Sequence, residues 1–113
     1  MSYISKEMKS VRMPNIKAVL KKYDMKGTVS TPKNSKIVVT LTSGKVNIGE
    51  NVNVYNIDYN FKGVAKDFLN ELVAAMKGSD WYDNSEVNSD YFDVAFYYGI
   101  DVGRWPKKFV LTE

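Results

Sequence analysis

The sequence predicts an α+β domain, with two main helices packed on one face of a mostly antiparallel sheet of about four to five strands. Three observations carry this expectation. Apolar residues recur at helical spacing in 13–23 and 61–77. They alternate in 36–43 and 91–102. The segment order of helix, strand, strand, extended segment, helix, strand and short strand does not interleave helix and strand one for one, which points away from a wholly parallel sheet. At 113 residues the chain fits one domain, 1–113, since domains cluster at roughly 100 to 150 residues. Residues 1–12 read as an N-terminal arm, flexible or partly ordered.

In the first helix Ile16, Val19, Leu20 and Tyr23 form the inward stripe, and Pro14 is expected in the first turn, where a missing N–H costs nothing. Lys17 and Lys21 fall one turn apart on another face, with Lys22 beside them, and Asp24 begins the exit. A strand from Gly27 to Thr31 is rich in β-branched residues and is ended by Pro32. The turn-forming stretch Pro32-Lys33-Asn34-Ser35 joins it to a second strand, in which Ile37, Val39 and Leu41 share one face. Residues 46–59 read as extended, with one edge strand among them.

The second helix carries Ala65, Phe68, Leu69, Leu72, Val73 and Met76 as a wide apolar stripe, with Gly78 placed as its cap. An acidic, turn-rich loop follows over 79–90. From Tyr91 to Val102 alternation sets Phe92, Val94, Phe96 and Tyr98 on one face and Tyr91, Asp93, Ala95 and Tyr97 on the other, with Gly99 marking a bulge. Phe109 to Leu111 makes a short last strand.

Composition narrows the chemistry. The chain has no cysteine and no histidine, so thiolate nucleophiles, disulfides and imidazole acid–base catalysis are excluded. Catalysis would fall to carboxylates, Lys, Tyr, Ser or a bound metal; a non-enzymatic protein without cofactor or metal is expected. The first residues are charged and hold no apolar run, so neither signal peptide nor membrane span is expected, and the location reads as cytoplasmic, with no membrane partner. Charge is uneven: residues 1–50 hold ten Lys/Arg against three Asp/Glu, and residues 51–113 hold six against ten. The first half therefore favours an anionic contact.

Four constellations bear on function. Asp24-Met25-Lys26 has the D-x-K spacing of metal-dependent nucleases, but no second carboxylate pair lies at matching spacing and both residues suit a helix exit. Asp80, Asp83, Glu86 and Asp90 could gather around a hard cation, but Ser85 stands where a calcium loop needs Gly and Tyr91 where it needs Glu. Arg12, Lys17, Lys21, Lys22 and Lys26 are the candidate phosphate contacts of a nucleic-acid-binding domain. Trp81, Tyr82, Tyr97, Arg104 and Trp105 have the composition of a protein-binding hot spot, which would engage a partner or form a homodimer.

With Ser89-Asp90-Tyr91-Phe92-Asp93-Val94 followed by Gly99-Ile100-Asp101-Val102-Gly103-Arg104-Trp105, the chain resembles small proteins of phages, plasmids and conjugative elements. Residues 16–30 and 36–44 are similar to the opening of the large polyvalent protein-associated domains of such elements, although Asp24-Met25-Lys26 replaces the usual Phe-Pro-Gly turn. The resemblance implies a mobile-element protein acting on host machinery, often to blunt a defence system. It implies no catalytic residue. The expectation is then a binding protein that contacts a host protein stoichiometrically as an inhibitor; the alternative is a nucleic-acid-binding domain using the lysine-rich first half.

Overall fold

A computed structural model describes residues 4–49, 52–54, 56–78, 81, 96–103 and 108–112. Helix α1 (Lys6–Lys22) leads into strand β1 (Met25–Ser30), and a 3-10 turn at Pro32–Asn34 joins β1 to β2 (Lys36–Gly44). The one-turn helix α2 (Ile57–Asn60) precedes α3 (Gly63–Lys77), and β3 (Tyr97–Val102) and β4 (Val110–Leu111) complete the sheet. The class is α+β, as the sequence predicts.

Pairing direction departs from the expectation. The β1–β2 hairpin is antiparallel, but β3 and β4 both run parallel to β2, so the sheet is mixed. The cause is α3, whose 15 residues carry the chain about 22 Å back along the sheet. A helix of that length between two strands makes a parallel crossover, which no tight turn can. β2 is therefore central, with β1 on one side and β3 followed by β4 on the other.

Residues 6–12 are helical, where an arm was expected. Ser5 caps α1 by accepting a hydrogen bond from the Met8 amide at 3.1 Å. The core-facing row is Met8, Arg12, Ile16 and Leu20, four residues apart, with Arg12, Ile16 and Leu20 buried. Pro14 consequently lies inside the helix, and its exposed position keeps the ring clear of the core. The missing i to i−4 bond there weakens the outward side alone.

The core forms between this stripe, the Phe68, Leu69, Leu72 and Met76 face of α3, and the inward row Ile37, Val39 and Leu41 of β2. Phe96, Tyr98 and Ile100 close it from β3. Residues 46–49 and 52–54 form no strand; Val46 and Ile48 are buried and tuck the chain onto the core, and α2 buries Ile57. Gly99 is no bulge. It pairs in register with Val38, and the open space above it is filled by the Lys36 side chain, whose Cε would stand 3.0 Å from an added Cβ. Residues 91–95 of the expected long strand, and the acidic residues Asp80, Asp83, Glu86 and Asp90, lie outside the described residues. No helix among the described residues is long and apolar enough to cross a membrane.

Candidate functional site

The five basic residues of the nucleic-acid alternative separate into three fates. Arg12 is 2% exposed. Its guanidinium donates to the carbonyls of Met8, Met76 and Lys77 at 3.1, 3.0 and 2.9 Å, and lies 4.8 Å from the Phe96 ring centre. The last two carbonyls belong to the C-terminal turn of α3, whose partial negative charge favours a cation. Arg12 is thus a cap for another helix and no surface contact, which corrects its expected role.

Lys22 is exposed but paired, its ammonium 2.7 Å from Glu71 Oε1 on α3. The Tyr23 hydroxyl donates to the other oxygen of the same carboxylate. Hydrogen bonds from Lys22 and Tyr23 hold the Glu71 carboxyl below its ordinary 4.5, while Glu71 raises Lys22 above 10.5 and Tyr23 above 10.0. A lowered carboxyl contributes stability above its unfolded value, and that contribution is lost as pH falls through the folded one. The raised Lys22 and Tyr23 contribute below their unfolded values and lose it as pH rises through the folded ones. Glu71→Gln should therefore flatten part of the acid limb of a urea-midpoint profile taken from about pH 7 down to about pH 3. An acid limb identical to that of the wild type would show that the network does not act in solution.

Lys17, Lys21 and Lys26 are brought together. They line an open groove of about 650 Å³, with Leu20, Asp24, Met25 and Gly27 completing its wall. The groove lies where α1 hands over to β1. Asp24 makes that handover in a left-handed conformation, φ 54°, which Asp tolerates better than most residues. Its amide donates to the Lys21 carbonyl at 3.1 Å, and its own carbonyl accepts from the Lys45 amide at 3.3 Å. These bonds fix its backbone, and its exposed carboxylate stands 3.7 Å from the Lys45 ammonium. The buried Leu20 and Met25 give the groove an apolar floor. Lys21 also complements the dipole at the end of α1, so it has a structural use whether or not anything binds.

The two described members of the aromatic set, Trp81 and Tyr97, lie apart. Trp81 is half-buried, donates its indole N–H to the Phe96 carbonyl at 2.8 Å, and packs edge-on against Tyr98 at 5.7 Å, with the Lys77 ammonium 4.6 Å from its ring centre. Tyr97, the strand neighbour of the inward Tyr98, points to the opposite face and is 45% exposed. The described residues around it on that face are Lys36, the buried Val38, Thr40, Gly99, Asp101 and, farther across, Thr28 and Ser30. Tyr82, Arg104 and Trp105 lie outside the described residues. Among the described residues, no three of His, Cys, Asp and Glu gather as a metal ion would need.

No protein-family model, curated protein or solved structure matches this chain. A functional reading accordingly starts from the groove itself. Helical spacing put Lys17 and Lys21 on one face, and Lys26 stood beside them in the basic set by its charge alone. Spacing missed the floor: Leu20 read only as core, and Met25 only as the middle residue of Asp24-Met25-Lys26.

Proposed function

We propose that the domain is a non-enzymatic binding protein acting by stoichiometric contact with another protein, and that the contact surface is the lysine-lined groove between α1 and β1. The observation that carries this reading is the convergence of Lys17, Lys21 and Lys26 above an apolar floor. Such a surface rewards a partner that offers carboxylates and some apolar area together. The mobile-element resemblance supports a host protein as that partner, with inhibition as the outcome of occupying its surface.

The nucleic-acid alternative uses the same three lysines but is weakened by the other residues. Arg12 is turned inward and Lys22 is held by Glu71. Three remaining cations would give a log–log salt slope of only about −3 on duplex DNA.

A capped glutamate-rich peptide, an oligothymidylate and a DNA duplex, each titrated by fluorescence anisotropy, separate the readings. Lys17→Glu with Lys21→Glu should weaken peptide binding about tenfold or more, since two attractive charges become repulsive. Lys62→Glu with Lys66→Glu, the same charge change at the start of α3 where Glu suits the helix, should alter it less than about twofold. Peptide binding that ignores the groove reversal, or DNA binding tighter than peptide binding, would defeat the proposal.

A further inference from the structure

Resting on that reading of the groove, we infer that the partner contributes an extended acidic segment which pairs with the free edge of β1 as an added strand. The argument begins with which residues line the groove. Met25 is buried on the helix side of β1, and Lys26, the next residue, is exposed on the other side. A hollow touched by both faces of one strand, and by no residue of β2, β3 or α3, lies along that strand's edge.

Among the described residues, that edge carries no pairing strand, and β1 ends the strand order. Every second residue of an edge strand directs its N–H and C=O away from the sheet, a ready template for another chain. Over six residues the edge is about 20 Å long, enough to pair a segment of similar length. Its charge selects among candidates. Lys26 opposes pairing with a basic strand, whereas Lys17, Lys21 and Lys26 attract one that carries carboxylates, and the irregularity between Lys26 and Gly27 confines regular pairing to the residues after it.

The mode of contact also fits the size of the site. A groove of about 650 Å³ has room for a few residues of an extended segment. Main-chain hydrogen bonds to β1 would supply affinity, and the lysines would set which sequences are accepted.

The test uses the full chain and a capped peptide of about eight residues alternating Glu and Val, long enough to cover β1. A second peptide of the same sequence carries backbone N-methyl groups on alternate residues, in two versions that place the methyls on either edge. If a strand is added, one methylated version should bind about tenfold or more weakly while the other binds like the parent, because only one edge faces β1. Hydrogen exchange of alternate amides within 25–30 should slow on binding of the parent peptide. Equal binding by all three peptides, still abolished by Lys17→Glu with Lys21→Glu, would overturn strand addition and leave the groove reading standing. Binding untouched by that double variant would remove the groove reading itself. A concentration-dependent dimer that the double variant dissociates would overturn the inference in favour of a second copy of this chain.

Discussion

Arg12→Ala should destabilise the domain by about 4 kcal/mol, a large share of the roughly 5 to 15 kcal/mol that holds a small domain together. The guanidinium is buried and satisfies carbonyls on two helices, Met8 on α1 and Met76 and Lys77 on α3. Each charge-assisted bond of this kind is worth about 1.5 to 3 kcal/mol, and carbonyls left buried without donors add a desolvation cost. The bonds share one group, so their contributions do not sum. Loss of the contact with Phe96 and a cavity beside it work in the same direction.

Two further substitutions divide the effect. Arg12→Met keeps most of the apolar volume and removes every donor, so it should cost nearly as much as alanine if hydrogen bonding dominates. Arg12→Lys keeps the charge but cannot fork between neighbouring carbonyls, and should fall between Met and the wild type. Urea unfolding gives each value from the shift in midpoint at constant slope. An alanine variant within about 1 kcal/mol of the wild type would mean that α3 ends stably without its cap, and the account of Arg12 would be wrong.

Arg12 also explains what was hard to read in the sequence. The row Met8, Arg12, Ile16 and Leu20 has regular helical spacing, but a charged residue at a core position breaks the apolar pattern, and the first two turns of α1 looked like an arm. Hydrophobic period identifies elements whose buried face is apolar throughout, such as α3 and β2. It fails where a buried polar side chain is satisfied by residues 64 and 65 positions away.

The sheet shows a different limit. Alternation in 36–43 and the polar turn at Pro32–Asn34 made the β1–β2 hairpin legible, because both signals are local. The directions of β3 and β4 depend on where a long connection brings the chain back, and the helix within it was the available clue to a parallel return. For the groove, helical spacing united Lys17 and Lys21. The participation of Lys26 followed only once the left-handed Asp24 had set the angle between α1 and β1.

Gly44→Ala is the second substitution with a large expected effect, about 2 to 4 kcal/mol, because three segments close on that residue. Gly44 lies opposite Met25 in β1 and Leu111 in β4, and its carbonyl accepts from the Thr112 amide at 2.7 Å. A Cβ there would stand 2.1 Å from Met25 Sδ, 2.9 Å from Met25 Cα and 3.1 Å from the Asp24 carbonyl oxygen, at a φ of +156°. The sulfur can swing away, but the backbone atoms cannot move without parting β1 from β2. Gly49→Ala is the control. It also has a positive φ, +77°, yet among the described residues other than its chain neighbours nothing lies within 4 Å of its Cβ position, so it should cost only about 1 kcal/mol of backbone strain. Because the displaced atoms belong to Met25 and Asp24, Gly44→Ala should also disturb the groove, and its loss of peptide affinity should exceed that of Gly49→Ala. Met25→Ala placed on top of Gly44→Ala should recover only the part of the cost due to the thioether, a coupling that a double-mutant cycle measures. Equal destabilisation by the two glycine substitutions would show that backbone conformation alone, and not crowding at this junction, is what alanine disturbs.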